Sequence, residues 1–185
     1  MRNNNILRTS AVLGIISAIL AAGIFFVDDI TRGIIAESES NQLNAYYDKL
    51  FQGASFEVIY KVGDAEAKEA GILSIASAEK NGQTIGYLYL VESNGYAGPV
   101  AALVGIDAST GQSSGVIVTK QGETPGLGTN ATKPDFLDQF KGKATTETLA
   151  AKGNITAITG ATITSKAVVN DVNMAFADYN ASYGK

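Results

Sequence analysis

The sequence contains no cysteine and no histidine. The absence of cysteine excludes disulfides, thiolate nucleophiles and iron–sulfur clusters. The absence of histidine excludes His-ligated haem, Ser-His-Asp triads and most zinc sites. We assign no catalytic residue and no metal site to this chain. Any redox chemistry in this chain must use an organic cofactor.

Proline and positive charge are also scarce. Only 3 prolines occur in 185 residues, against 20 glycines, and hydrophobic residues make up 45% of the chain. This composition predicts a compact fold with many turns and excludes a disordered protein. Acidic residues outnumber basic ones by 18 to 14. Because binding to nucleic acid requires a basic face, nucleic acid is not an expected partner.

Residues 11–27 form an apolar run of 17 residues without a charge. We predict that this run is one transmembrane helix, since roughly 20 residues cross a bilayer. The alternative, a cleaved signal peptide, usually has a shorter apolar region and a small-residue cleavage site. Arg2 and Arg8 precede the run, and Asp28 and Asp29 follow it. This charge pattern predicts a cytoplasmic N-terminus and an extracytoplasmic C-terminal domain at the cytoplasmic membrane.

The chain is accordingly divided into three parts. Residues 1–28 are predicted to be a cytoplasmic stub and membrane anchor, residues 29–53 a linker helix, and residues 54–185 one extracytoplasmic domain. The apolar run contains no ionisable residue, and such residues mark ion pathways inside membranes. We therefore do not expect this chain alone to pump ions.

The domain begins with short segments that are rich in β-branched and aromatic residues and are separated by Gly and Asn. They predict strands at residues 56–62, 71–78, 84–92, 100–107 and 114–119. An Asn-Gly pair at residues 81–82 predicts a hairpin turn. Helices are expected at residues 30–51 and 134–140, and from Thr164 or Ser165 as cap to about Tyr179. Consecutive strands with short turns favour the α+β class, an antiparallel sheet with flanking helices.

Residues 158–165, ITGATITS, place four hydroxyl side chains and a glycine immediately before the last predicted helix. Backbone N–H groups at a helix N-terminus form an anion site, and Gly160 and Ala161 allow close approach of a phosphate. The spacing alone favours a simpler interpretation, a capped helix with a polar turn. A second segment, ETPGLG at residues 123–128, is on its own a tight turn built from Pro and Gly.

The segment ITGATITSKAV resembles the flavinylation segment of the FMN-binding domain family. That family includes the G subunit of Rnf-type electron-transport complexes and the C subunit of sodium-pumping NADH:quinone reductases. The resemblance implies that FMN is attached covalently, through a phosphoester, to Thr162. Thr159, Gly160 and Ala161 complete the motif, and Thr156 stands where the family usually has an Asp.

Two polar residues after the attachment site belong to the same implied cofactor-binding set. Thr164 supplies another hydroxyl in the motif segment. Lys166 could offset the phosphate charge, or it could be solvated like most lysines in a first helical turn. Both interpretations of Lys166 stay open at this point.

The loop ETPGLG resembles a loop that lies beside the flavin ring in the Rnf-type G subunit. The resemblance implies that Leu127 lies on a ring face, that Glu123 and Thr124 contribute polar contacts, and that Gly126 permits close approach. Tyr96, in a glycine-rich loop before the fourth predicted strand, is equally compatible with the core and with a flavin contact. The chain lacks the insertions of the C subunit, so the G subunit is the closer resemblance.

The resemblance implies an electron-carrier subunit of an ion-translocating, ferredoxin–NAD coupled membrane oxidoreductase of the Rnf type. Its expected partners are the other membrane subunits of such a complex and the flavin transferase that attaches FMN. Two alternatives stay open. One is a stand-alone extracytoplasmic electron-transfer protein with covalent FMN. The other is a non-redox assembly subunit in which the hydroxyl segment only caps a helix.

Overall fold

The computed structural model describes residues 2–63 and 71–184. Contacts divide the chain into two compact units, Met1–Asn44 and Ala45–Lys185. The first unit consists of one helix, α1 (Arg2–Leu50), whose C-terminal end continues into the second unit. The second unit holds the sheet and the remaining helices.

Helix α1 runs without a break through the predicted anchor and most of the predicted linker helix, and it ends at Leu50. Its described part exposes large apolar side chains, namely Val12, Leu13, Ile15, Ile16, Ile19, Leu20, Ile24, Phe25 and Phe26. Within residues 2–63 and 71–184, none of the helices combines the length and the apolar character needed to cross a bilayer. The anchor at residues 11–27 stays a prediction.

Five antiparallel strands form one sheet in which the spatial order follows the chain order, β1-β2-β3-β4-β5. The strands are β1 (Ser55–Lys61), β2 (Ile72–Lys80), β3 (Gln83–Asn94), β4 (Pro99–Asp107) and β5 (Gln112–Lys120). Every strand end lies within two residues of the predicted one. Asn81 and Gly82, with φ of 54° and 73°, make the two-residue turn between paired Lys80 and Gln83. The predicted α+β class is confirmed.

Short helical segments and one long helix follow the sheet. A 3-10 helix (Gly128–Thr132), α2 (Pro134–Leu137) and a second 3-10 turn (Asp138–Phe140) lead to α3 (Thr162–Ser182). The predicted cap of the last helix, Thr164 or Ser165, is wrong, because α3 starts at Thr162 after Ala161 and has no side-chain cap. The Ser165 hydroxyl turns back instead, accepting from the Ile158 N–H and donating to the Ala161 carbonyl, both at 2.9 Å.

Helix α3 packs on one face of the sheet, mainly on β3 and β4. Its apolar side chains Val168, Val172, Ala175 and Phe176 are at most 2% exposed. They share one core cluster with residues of the sheet, including Ile75, Tyr89, Val91, Ala102, Val104 and Ile106. Burial of one such large side chain contributes about 1.5 to 3 kcal/mol. This packing fixes the position of the first turn of α3.

The opposite face of the sheet carries a groove of glycines. Gly86 on β3, Gly105 on β4 and Gly115 on β5 face Leu50 and Phe51, at the C-terminal end of α1. A Cβ at Gly86 would collide with the Phe51 ring, and one at Gly105 would lie 3.3 Å from both side chains. Glycine is therefore required here for close approach, whereas elsewhere in a strand it weakens the sheet.

Candidate functional site

A cavity of about 410 Å³ brings the two predicted motif segments together. It is lined by Tyr96, Glu123, Thr124, Leu127, Gly128, Gly160, Ala161, Thr162, Ile163 and Thr164. The volume falls within the range of roughly 300 to 1,000 Å³ that is usual for ligand sites. Seven of the ten predicted site residues line this cavity, whereas Thr159, Gly126 and Lys166 do not.

Thr162 is the first residue of α3 and is half-buried at the edge of this cavity. The N–H of Ser165 donates to the Ala161 carbonyl at 3.0 Å, so the N–H groups of residues 162–164 precede the helical bonding pattern. These donors and the positive end of the helix dipole favour an anion. Lys166 is exposed four residues further on, which places it on the same helical face as Thr162. The start of α3 therefore suits a phosphate held on Thr162.

Gly160 allows the ETPGLG loop of residues 123–128 to approach the segment before α3 closely. Gly160 has a φ of 76°, in the left-handed region that favours glycine. A Cβ at this position would lie 3.1 Å from Cδ2 of Leu127. The loop of residues 123–128 is thereby held against the residues that precede α3, and Leu127 forms part of the wall between them.

The Glu123 carboxylate is buried, with 6% of the residue exposed, and it bonds to groups on two other segments. Its Oε1 accepts from the backbone N–H groups of Tyr96 and Ala97, at 2.7 and 3.2 Å. Its Oε2 accepts from the Thr164 hydroxyl at 2.9 Å. Glu123 therefore joins the β3–β4 loop, its own loop and the first turn of α3, which are the three walls of the cavity.

Two glycines make room for this carboxylate. A Cβ at Gly128 would lie 2.5 Å from Glu123 Oε2 and 2.6 Å from its Cβ, and a Cβ at Gly95 would collide with Oε1. Gly128, the last glycine of ETPGLG, therefore packs against the Glu123 side chain and leaves no room for a Cβ. The sequence alone does not separate this role from close approach to a ligand, because both require the same small residue.

Three large apolar residues stay exposed around the cavity. Tyr96 is 72% exposed, Ile163 50% and Leu127 44%. The core alternative for Tyr96 is therefore wrong. Ile163 is absent from the predicted site residues, although its position directly after Thr162 was a usable signal. Apolar groups clustered around a cavity are typical of a site that receives a flat organic ligand.

The other predicted residues lie outside the first cavity. Thr159 is exposed and, together with Thr156 and Thr162, lines a second cavity of about 520 Å³. The Gln139 side chain fixes this segment, accepting from the Thr156 N–H at 2.7 Å and donating to its carbonyl at 3.2 Å. Lys166 lines a third cavity, on the far side of Ile163. Thr162 thus lies between two cavities.

Comparison with solved structures finds similar folds over part of the chain. NqrC of Shewanella oneidensis is 22% identical with a TM-score of 0.47, covering 56% of this chain and 54% of that one. The C subunit of the Na(+)-translocating NADH-quinone reductase of Parabacteroides distasonis is 28% identical with a TM-score of 0.47, covering 57% and 60%.

Comparison of sequences finds a family model for part of the chain and relatives that cover most of it. Residues 95–177 match the FMN-binding domain family, a range that contains every residue lining the first cavity. The G subunit of the Na(+)-translocating ferredoxin:NAD(+) oxidoreductase complex of Acetobacterium woodii is 36% identical, over 94% of this chain and 91% of that one. The proton-translocating counterpart of Clostridium ljungdahlii is 33% identical, over 86% and 82%. This chain belongs to the family of G subunits of ion-translocating oxidoreductase complexes.

Proposed function

We propose that this chain carries FMN, attached through a phosphoester to Thr162, and passes electrons between other subunits of an ion-translocating membrane oxidoreductase complex. The observation that carries the proposal is the position of Thr162. Its hydroxyl stands at the first turn of α3, beside a cavity formed by both motif segments. Membership of the G-subunit family supports the same role.

The residues present fit FMN. Thr162 would hold the phosphate at the start of α3, with Lys166 on the same helical face to offset its charge. Leu127, Tyr96 and Ile163 would offer apolar surface to the ring, with Thr124 in the same cavity wall. When bound, FMN supplies a ring that accepts and releases electrons, and the protein supplies its placement and surroundings.

Attachment requires a flavin transferase that can reach the motif. Thr159 and Gly160 are exposed, and the cavity of about 520 Å³ adjoins Thr162 without including Leu127 in its lining. This cavity would receive the transferase. The ring would then lie in the other cavity, so that attachment and electron transfer use two different cavities beside the same threonine.

The chain would act at the cytoplasmic membrane, with residues 11–27 as its anchor and the domain outside the cytoplasm. The exposed apolar side chains of α1 support this role, since such a surface favours a lipid or protein environment over water. The run carries no charge. Ion movement would accordingly belong to the partner subunits.

The alternative in which the hydroxyl segment only caps a helix loses its basis. Ala161 is the N-cap of α3 and no side chain caps it.

The stand-alone alternative differs from the proposal in its partners. Purification of the tagged full chain from native membranes should bring multi-span subunits with it, and purification of the chain alone would favour the stand-alone carrier.

The attachment is tested by intact-mass analysis of the full chain expressed in membranes together with a flavin transferase. Wild type should carry one FMN adduct, and Thr162→Ala should carry none. Cleavage after Lys152 and Lys166 gives a peptide of residues 153–166, in which fragmentation locates the adduct among the hydroxyls. The control Thr132→Ala, at an exposed threonine outside the motif, should keep the adduct. An unlabelled wild type, or a labelled Thr162→Ala, contradicts the proposal.

The departure at Thr156 is tested in the same assay. Thr156 is exposed, and its backbone makes the bonds to Gln139, so an Asp side chain is compatible with the fold. Thr156→Asp restores the acidic residue of the family motif and should raise the labelled fraction when transferase is limiting. An unchanged fraction would show that the transferase does not depend on this acid.

A further inference from the structure

Asp171, in the middle of α3, is a buried acid that the proposed electron transfer does not use. None of its surface is exposed to solvent. Among the described residues, no donor forms a hydrogen bond with either carboxylate oxygen. An ionised carboxylate without partners is very unfavourable in a protein interior, and such a group usually becomes neutral instead.

The described elements that pack against α3 bring no positive charge to Asp171, and the one lysine of α3, Lys166, is exposed five residues earlier. Helix α3 packs against β3, β4 and the 3-10 helix Gly128–Thr132, and these three elements contain no Lys or Arg. The ionisable groups of β3 are Glu92 and two tyrosines, and that of β4 is Asp107. The 3-10 helix has none. The negative charge of Glu92 favours the neutral form of Asp171.

The pKa of Asp171 is consistent with this environment. Burial and, to a smaller extent, the charge of Glu92 raise it from 3.8 to about 7, against the lowering effect of the Ser93 hydroxyl. A carboxyl with such a pKa changes its protonation state around neutral pH, where ordinary aspartates stay ionised.

A route for the proton lies beside this carboxyl. A cavity of about 540 Å³, open to solvent, is lined by Glu92, Ser93, Lys166 and Asn170 among others. The Asn170 side-chain amide donates to the Ser93 hydroxyl oxygen at 2.9 Å, which leaves the Ser93 proton free to be donated elsewhere. Ser93 lines the cavity and is close enough to Asp171 to influence its carboxyl, so it lies between the two without a hydrogen bond to the carboxylate.

We infer that Asp171 is a proton-binding site that exchanges with solvent through the Ser93 and Glu92 cavity and that holds α3 on β3 in its neutral form. The same cavity reaches Ile163 and Lys166, at the start of the helix. Release of the proton therefore puts a negative charge inside the helix–sheet interface that also positions Thr162. The site does not require FMN.

The test is a pH titration of the full chain, labelled with carbon-13 at the aspartate carboxyls and observed by NMR in detergent micelles. One aspartate resonance should titrate near pH 7, well above the others. It should be lost in Asp171→Asn, and its midpoint should fall in Glu92→Gln, which removes the neighbouring charge. The control Asp135→Asn, at an exposed residue of α2, should remove a different resonance and leave the high midpoint unchanged.

Three results would overturn the inference. The first is that every aspartate resonance titrates in the ordinary range. The second is that the high midpoint persists in Asp171→Asn. The third is that the midpoint moves when choline replaces sodium in the buffer, because a bound cation would then compensate the charge. If Asp171→Asn fails to fold, the midpoint of the wild-type titration and its shift in Glu92→Gln still test the inference. Since protein without FMN can be used, the outcome is independent of flavin attachment.

Discussion

At the residue scale, Glu123 joins three segments of the cavity wall through its hydrogen bonds. Its carboxylate accepts three hydrogen bonds. Glu123→Gln removes the negative charge and turns one acceptor oxygen into an NH2 donor, so the Thr164 hydroxyl must reverse and accept. We expect a loss of about 1 to 3 kcal/mol in the free energy of unfolding, measured by urea denaturation. The control Glu147→Gln changes a 43% exposed side chain and should cost less than about 0.5 kcal/mol. Equal losses would show that the Glu123 bonds are unimportant.

A second residue-scale prediction concerns the glycine that accommodates this carboxylate. Gly128→Ala would place a Cβ within 2.6 Å of Glu123 atoms. We expect a destabilisation of about 1 to 3 kcal/mol, typical of overpacking, together with a smaller labelled fraction in the transferase assay. Gly122→Ala is the matched control, since its Cβ meets nothing within 4 Å. Similar behaviour of the two variants would refute the steric argument.

Thr162 could be proposed from the sequence and the role of Glu123 could not, for a physical reason. Thr162 is a candidate because a run of consecutive residues before a helix resembles a family motif, which is local information. The partners of Glu123 lie 27 and 41 residues away along the chain, at Tyr96 and Thr164. The unpartnered state of the Asp171 carboxylate could not be predicted either. A periodic pattern places a residue on a helix but does not show whether its side chain has hydrogen-bond partners.

At the element scale, the strands were predictable because alternation and turn residues are local properties. The start of α3 was harder to predict. Capping side chains usually mark a helix start, but here Ala161 occupies the N-cap and Ser165 bonds backwards. The continuity of α1 was also missed. The Asp pair at residues 28–29 suggested a boundary, but the helix continues through these residues.

The contact between the C-terminal end of α1 and the sheet gives an element-scale prediction. Gly86→Ala should displace the Phe51 ring and cost about 1 to 3 kcal/mol in unfolding free energy. Phe51→Ala removes that ring and should cost a similar or larger amount. In the double variant the two costs should not add, because the alanine at position 86 no longer meets the ring. Additive costs would place the strain of Gly86→Ala elsewhere, for example at the Ile106 carbonyl.

At the scale of the whole molecule, Asp171 links stability to pH. Its folded pKa of about 7 lies above the ordinary 3.8, so the folded chain binds the proton more tightly than the unfolded chain does. The stabilisation is complete below about pH 4 and is lost as pH rises through 7, by up to about 4 kcal/mol. Asp107 acts in the opposite direction and at lower pH, because burial, which raises its pKa, is outweighed by hydrogen bonds from Ser109 and Thr110 that lower it.

The corresponding measurement is the melting temperature of the full chain between pH 5 and pH 8. Wild type should melt at progressively lower temperature as pH rises, and Asp171→Asn should flatten this dependence. Asp135→Asn should keep the wild-type slope, since the side chain is exposed. A wild-type profile without a slope in this range would contradict the prediction.

The chain order of the sheet also bears on when the cofactor site forms. Each strand pairs with its neighbour in sequence, so the sheet can assemble from local hairpins while the chain is still being made. The cavity also needs α3, which follows the sheet in the chain. Synthesis therefore completes the site only after the sheet, and we expect flavin attachment to follow the synthesis of α3. A chain that ends inside α3 would keep its hairpins and Thr162, yet lack the docked helix that presents this threonine.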